Sequence, residues 1–161
     1  MPYMNHGYND TPVIHGEANT TVAEPAMKAF VLNESGKVAL PAASGDFALG
    51  IALANADAVG AGDRLDLQIK DGCYALAGED IDRGDLLMAH TDGSLKKAVP
   101  GTHVLAVALA DAASGKPVEV FIIRTYLPAF AVDFATPPTD GQVLKYDGTN
   151  KVWKPAVDAT N

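Results

Sequence analysis

The side chains that most often carry out chemistry in proteins are few in this sequence and are widely spaced. All four serines sit beside a glycine, as is typical of turns, and none lies in the Gly-x-Ser-x-Gly pattern of a hydrolase nucleophile. No two of the four histidines have a metal-binding spacing (His6, His15, His90 and His103). Cys73 is the only cysteine, so an intrachain disulfide and a cysteine-based zinc cluster are excluded. We therefore expect no enzyme activity, with no catalytic, cofactor-binding or metal-binding residues.

The densest acidic segment, residues 79–85, has the sequence Glu-Asp-Ile-Asp-Arg-Gly-Asp. A calcium loop of this kind needs a later bidentate glutamate, which is missing, so a solvated turn is the favoured interpretation. The Arg83-Gly84-Asp85 tripeptide is known from cell adhesion. However, Gly62-Asp63 and Gly84-Asp85 both lie in a turn that precedes an apolar strand, and glycine and aspartate both suit such a turn. A structural role is therefore the favoured interpretation of the tripeptide.

Lys70 gives one further chemical alternative. Lipoyl and biotinyl carrier domains contain a duplicated β unit with Gly-Asp before an alternating strand, and they present a modified lysine at a hairpin tip. Lys70 precedes the turn Asp71-Gly72, but without the neighbours typical of those domains. A carrier role would therefore depend on finding a modified lysine by mass spectrometry.

Size and charge limit the classes of partner. The chain has 161 residues and a formal net charge of −8, with 20 acidic against 12 basic residues. A protein that binds the phosphate backbone needs clustered cations, so we expect no nucleic-acid partner. No apolar run approaches the roughly 18 residues of a membrane span, and the N-terminus lacks the features of a secretory signal, so we expect no membrane contact.

The elements that position these residues are predicted to be strands throughout. Apolar and polar residues alternate in Arg64–Lys70, in Phe47–Leu53 and around Val118–Ile122, which is the period of a half-buried strand. Dipeptides that favour turns, such as Asp71-Gly72 and Asp92-Gly93, separate these segments. No segment sustains a helical apolar period, so the fold class is predicted to be all-β.

An internal repeat is the most informative pattern. The segment that starts at Phe47 aligns with the one that starts at His103, at an offset of 56 residues, and the flanking segments align at similar offsets. Two such units cannot bury their apolar faces alone. We expect them to pack together as a small barrel or sandwich.

Three parts of the chain are predicted. Residues 1–25 are interpreted as an extended N-terminal arm that becomes ordered only when bound, and 26–126 as the duplicated β core. Residues 127–161 begin with a proline-marked linker and end in a β-hairpin around an Asp-Gly-Thr-Asn turn. So small an appendage buries little by itself, so Tyr146 and Trp153 are predicted to contact the rest of an oligomer.

The core resembles a known family. Gly50-Ile51-Ala52-Leu53, the acidic segment followed by Leu86-Leu87, and Val104–Ala110 are similar to the small decoration, cement or head-stabilising proteins of bacteriophage capsids. The resemblance extends over residues 30–126. It implies a compact β domain that forms a homotrimer, joins neighbouring major capsid protein subunits on the outside of an expanded head, and has no catalytic residues. The protein would be made in the cytoplasm of the host bacterium.

The C-terminal hairpin is similar to a module of phage fibre proteins, which agrees with a virion protein. Tyr3, Tyr8 and Val13 are the predicted capsid contacts, through the arm. In the alternative, the chain is a module of a head or tail fibre that binds a glycan on the host surface, and Tyr146 and Trp153 form the ligand platform.

Overall fold

The computed structural model describes residues 12–129, 131–132, 142–149 and 152–157. Every regular element within those ranges is a β-strand, which confirms the predicted all-β class. None of these elements is a helix that could cross a membrane. The chain divides into two compact units, Met1–Leu127 and Pro128–Asn161.

The first five strands form one antiparallel sheet. They are β1 (Val13–Glu17), β2 (Ala29–Leu32), β3 (Val38–Ala39), β4 (Gly50–Ala52) and β5 (Arg64–Gln68), in the order β1-β5-β4-β2-β3. The alternation in β5 has the predicted effect, because Leu65 and Leu67 are buried while Arg64 is exposed.

The next five strands form a second antiparallel sheet. They are β6 (Asp71–Leu76), β7 (Leu86–Ala89), β8 (Leu95–Lys97), β9 (Thr102–Ala108) and β10 (Pro117–Leu127), in the order β6-β10-β9-β7-β8. Val118, Val120 and Ile122 of β10 point inward, and the register of β10 against β9 shifts between Ile122 and Thr125.

The two sheets have the same topology and register, which confirms the internal duplication. The pair Ala29–Ile51 in the first sheet corresponds to the pair Leu86–Val107 in the second. The bridges outside the strands correspond as well: Val22–Val59 matches Ile81–Ala112, and Ala18–Val38 matches Ala77–Leu95. We call residues 13–69 repeat 1 and residues 71–127 repeat 2.

The extended arm predicted over residues 1–25 is wrong for its second half. Val13–Glu17 pair with β5 along the whole strand, and Ala18 and Val22 are buried, so repeat 1 begins at Val13. Gly16 conceals this strand in the sequence. A β-carbon added to Gly16 would collide with the Val38 side chain, so this position has no side chain and an apolar residue is missing from the pattern. Residues 1–11 lie outside the described residues.

The two repeats bury their cores unequally. The core of repeat 1 comprises only its own residues, among them Phe30, Leu65 and Leu67. The core of repeat 2 also takes in three residues from repeat 1, namely Ala29, Ala48 and Ile51. Repeat 1 therefore closes the core of repeat 2.

The C-terminal unit contains a small sheet of its own. β11 (Ala131–Val132), β12 (Gln142–Asp147) and β13 (Val152–Val157) are arranged in the order β11-β13-β12. β12 and β13 are antiparallel, which confirms the predicted hairpin. The parallel pairing of β11 with β13 has no signal in the sequence.

Candidate binding surfaces

The contact between the two repeats is a useful reference, because it shows what an equivalent surface can bind. The Ala29 N–H donates to the Gly93 carbonyl over 2.7 Å, and the Gly45 N–H donates to the Ala89 carbonyl over 2.8 Å. Arg124 of repeat 2 donates to two carbonyls of repeat 1, those of Leu49 and Ile69. The two repeats are thus joined by backbone hydrogen bonds as well as by apolar packing.

The turn that receives Ala29 is held by one carboxylate. Asp92 accepts hydrogen bonds from the backbone N–H and the hydroxyl of Ser94, and its other partner is the His90 ring. Partial burial raises the pKa of Asp92, but these hydrogen bonds and the nearby His90 outweigh it and lower the pKa to about 2. The turn is therefore built around an ionised aspartate.

An apolar strip crosses the outward side of the second sheet. Phe121 of β10 pairs with Val107 of β9, and Val107 pairs in turn with Leu86 of β7. Tyr74 of β6 points the same way one row along, opposite Glu119. The exposed fractions are 53% for Tyr74, 43% for Phe121 and 38% for Leu86. We call Tyr74, Leu86, Val107 and Phe121 the apolar face.

The equivalent positions in repeat 1 are either polar or covered. The fold itself therefore does not require exposed apolar side chains at these positions. His15 and Asp66 occupy the places of Tyr74 and Glu119, and they contact each other at 2.7 Å. The hydrogen bond from Arg64 lowers the pKa of Asp66, so this part of the surface is polar and charged. The equivalents of Leu86 and Val107, by contrast, are Ala29 and Ile51, which are buried against repeat 2.

Repeat 1 carries an open groove of about 630 Å³. Leu32, Leu40, Phe47 and Leu49 contribute apolar side chains to it, and we call these four residues the apolar groove. Leu32 and Phe47 are 56% and 55% exposed.

Three aromatic rings form a continuous cluster beside the groove. The His103 ring lies 5.5 Å from that of Phe47, edge-on, and 5.1 Å from that of Tyr126. His103 is half-buried in β9, as expected for a strand residue. The cluster spans both repeats and extends the apolar surface.

The residues predicted as contacts lie in three places. Tyr3 and Tyr8 are outside the described residues. Val13 is the first residue of the edge strand β1, half-buried and paired with Gln68. Tyr146 and Trp153 face each other across the hairpin with ring centroids 5.5 Å apart, and they are 54% and 37% exposed. Their roles as capsid, oligomer or glycan contacts stay predictions.

In the described part of the chain, the residue types most suited to chemistry are buried or hydrogen-bonded in ways that indicate structural roles. Burial raises the pKa of the Cys73 thiol to about 11, which keeps it protonated and weakly nucleophilic at neutral pH. Ser94 is buried and hydrogen-bonded to Asp92. Within the described ranges, no three side chains of His, Cys, Asp or Glu are grouped so that they could hold a metal ion. The apolar face and the apolar groove are candidates for protein contacts because both expose apolar side chains.

The apolar face and the apolar groove were not found from the sequence. The alternating pattern shows which residues of a strand share a side, but it does not show which side another element covers. The internal repeat offers a signal, because alignment of the two copies makes Gln68 equivalent to Phe121 and Asp66 equivalent to Glu119. This difference between the copies marks β10 as a strand with an apolar residue on its outward side.

Comparisons with known proteins give a likeness to a solved structure. No protein-family model matches this chain, and no curated protein matches it. Among solved structures, the chain is similar to the crystal structure of the head fiber gp8.5 N base in bacteriophage phi29. The TM-score is 0.52 and the identity is 24%, over 71% of this chain and 96% of that one. The two proteins therefore share a fold.

Proposed function

We propose that this chain is a structural virion protein that attaches to the outside of a phage head, binds the major capsid protein and stabilises the mature lattice. The observation that carries the proposal is the fold shared with a head fiber base of bacteriophage phi29, which is matched over nearly its whole length. The resemblance of residues 30–126 to capsid decoration proteins points to the same setting. We further propose that the protein acts as a homotrimer.

The surface supports a role in binding other proteins. Isolated exposed apolar residues are ordinary, but an apolar strip across four strands is typical of an interaction site. The net charge of −8 is suited to the outside of a particle, which has to avoid binding free DNA and other particles.

Stabilisation of the head would follow from mass action. A ligand that binds only the expanded lattice stabilises it by RT ln(1 + [L]/Kd) at each site, and the effect is repeated over many sites. We assign the contact with the major capsid protein to residues 1–11, which precede β1 and include Tyr3 and Tyr8. β1 is at the edge of its sheet, and an edge strand can pair with a strand of a neighbouring protein.

A second candidate is a fibre base whose C-terminal unit binds a host glycan. The adjacent rings of Tyr146 and Trp153 favour it, because exposed aromatic side chains are a common platform for sugars. A glycan array probed with the full chain tests this candidate, with Trp153→Ala as the matched variant. Binding that Trp153→Ala abolishes would support the fibre module, and no binding on the array would count against it.

The main test adds the purified chain to undecorated expanded heads of its phage and measures binding by co-sedimentation. We expect saturable binding to expanded heads, none to unexpanded heads, and a higher temperature of head disruption. A deletion variant tests the contact assigned to the arm. Deleting residues 1–25 would remove β1 and expose β5, so the deletion should stop at residue 11. Loss of head binding in that variant, with its circular dichroism unchanged, would support the arm contact, whereas unchanged binding would exclude it.

A further inference from the structure

We propose that the apolar face of repeat 2 binds the apolar groove of repeat 1 on a second copy of this chain, in the same way as repeat 1 packs on repeat 2 within one chain. The inference deepens the proposed function, since it assigns the contact that would hold the proposed homotrimer together. It is carried by the internal duplication, which presents the same structural unit twice, once with its outward side covered and once with that side exposed.

The covered side belongs to repeat 1. Ala29 and Ile51, which pair between β2 and β4, are 0% and 1% exposed because both side chains enter the core of repeat 2. The equivalent pair in repeat 2 is Leu86 and Val107. Leu86 is 38% exposed, so the surface that repeat 1 buries within the chain has no cover on repeat 2.

The receiving site is duplicated as well. In repeat 2 that site includes Ala89 and Leu105, which are 0% and 2% exposed and pack in the same cluster as Ala29 and Ile51. The repeat places Leu32 at the position of Ala89 and Leu49 at that of Leu105. Leu32 and Leu49 line the open groove of about 630 Å³. Repeat 1 thus has the receiving site in an empty form.

A second copy fits both surfaces at once. Repeat 1 already fills the site of repeat 2 within the chain, so the remaining apolar face and the remaining groove are complementary halves of the same contact. They are different surfaces of one molecule, so the contact is heterologous: each chain gives its apolar face to one neighbour and its groove to the other. Such contacts close into a ring when the rotation between copies allows it, and a homotrimer is such a ring.

Site-directed cross-linking of the full chain tests the contact without the capsid. All variants carry Cys73→Ala, so that no native thiol reacts. Leu86→Cys marks the apolar face, Leu32→Cys marks the groove, and His15→Cys is the matched control on the polar outward side of repeat 1. A short bismaleimide is added to each variant alone and to equimolar mixtures, and the products are separated on a denaturing gel.

We expect a covalent dimer from the mixture of Leu86→Cys with Leu32→Cys, and only background from either variant alone. The double variant Leu32→Cys/Leu86→Cys should give higher covalent multimers, because each chain then has both halves of the contact. Replacing Leu86→Cys by His15→Cys in the mixture should abolish the dimer. The temperature of unfolding is measured for every variant, and each substituted position except the background Cys73 is exposed, so folding is expected to be retained.

Three results would overturn the proposal. They are no cross-linked dimer in the mixture, efficient cross-linking of Leu86→Cys with itself, and a dimer from the His15→Cys mixture as abundant as that from Leu86→Cys. The second result would mean that two apolar faces pack symmetrically. Head binding is measured separately, so a chain that binds heads without forming these cross-links would refute the inference and leave the proposed function in place.

Discussion

The equivalent residues Ile51 and Val107 allow a direct test of how the two repeats are joined. Ile51 is 1% exposed and lies in the core of repeat 2, although it belongs to repeat 1. Val107 holds the same position in repeat 2 and is half-buried on the outward side. Replacing each residue with alanine removes apolar contacts from the same place in the same unit, once inside the chain and once at its surface.

The expected costs differ in size and in kind. Ile51→Ala removes three carbons at about 0.8 kcal/mol each and leaves a cavity, so the free energy of unfolding should fall by about 3 to 4 kcal/mol. That cost arises within one chain and should not depend on protein concentration. Val107→Ala removes two carbons from a half-buried side chain and should cost less than about 1 kcal/mol within the chain. If Val107 is at a contact between copies, its effect on stability should increase as the protein is concentrated.

Chemical denaturation followed by far-ultraviolet circular dichroism, at several protein concentrations, measures both effects. Trp153 fluorescence is unsuitable here because this residue lies in the C-terminal unit. Ile51→Val, which should cost only about 1 kcal/mol, serves as the graded control. The account of the repeat interface would be refuted if Ile51→Ala were no more destabilising than Val107→Ala at the lowest concentration.

Three further experiments test the turns and the hairpin. Asp92→Asn should lower stability at pH 7 by about 1 kcal/mol, the full pKa shift being discounted because the side chain is 63% exposed. The pKa of Asp92 is about 2 in the folded state and 3.8 in the unfolded state, so the stability difference between wild type and Asp92→Asn should hold above pH 3.8 and vanish as the pH falls towards 2. Acid titration followed by circular dichroism measures this. A stability difference that stays constant with pH would contradict it. Gly45 has a φ of +83°, and a methyl group added there would lie 2.5 Å from the Thr102 side chain, whereas Gly36 has a φ of +75° and open space around it. Thermal denaturation should therefore show a larger loss of stability for Gly45→Ala than for Gly36→Ala. Equal losses would exclude the close contact. Tyr146→Ala should cost about 1 kcal/mol in the C-terminal unit, seen as a red shift and earlier melting of Trp153 fluorescence. Unchanged fluorescence and melting would exclude a stabilising contact between the two rings.

The strands that the sequence predicted well are those in which burial and alternation coincide. In β5 each inward position is leucine and each outward one is polar, so the pattern determines both the element and its buried side. β1 lacked that signal because Gly16 takes an inward position where Val38 leaves no room for a side chain. A contact between distant segments of the chain requires glycine at this position, and a local sequence pattern does not show such contacts.

The surfaces were harder to predict than the strands for a related reason. Ala29 and Leu86 occupy equivalent positions and are both apolar, yet one is 0% and the other 38% exposed. Their difference comes from repeat 1 covering repeat 2, which depends on how the units pack. The repeat itself was visible in the sequence. Its value for function depends on what covers each copy, and the packing of the two repeats decides that.

Cryo-electron microscopy of expanded heads mixed with the full chain tests the central claim most directly. The claim predicts added density on the outer surface at the local threefold positions of the lattice, into which the two-repeat unit fits as a trimer. Heads without added density, or density attached only through the C-terminal unit, would contradict it.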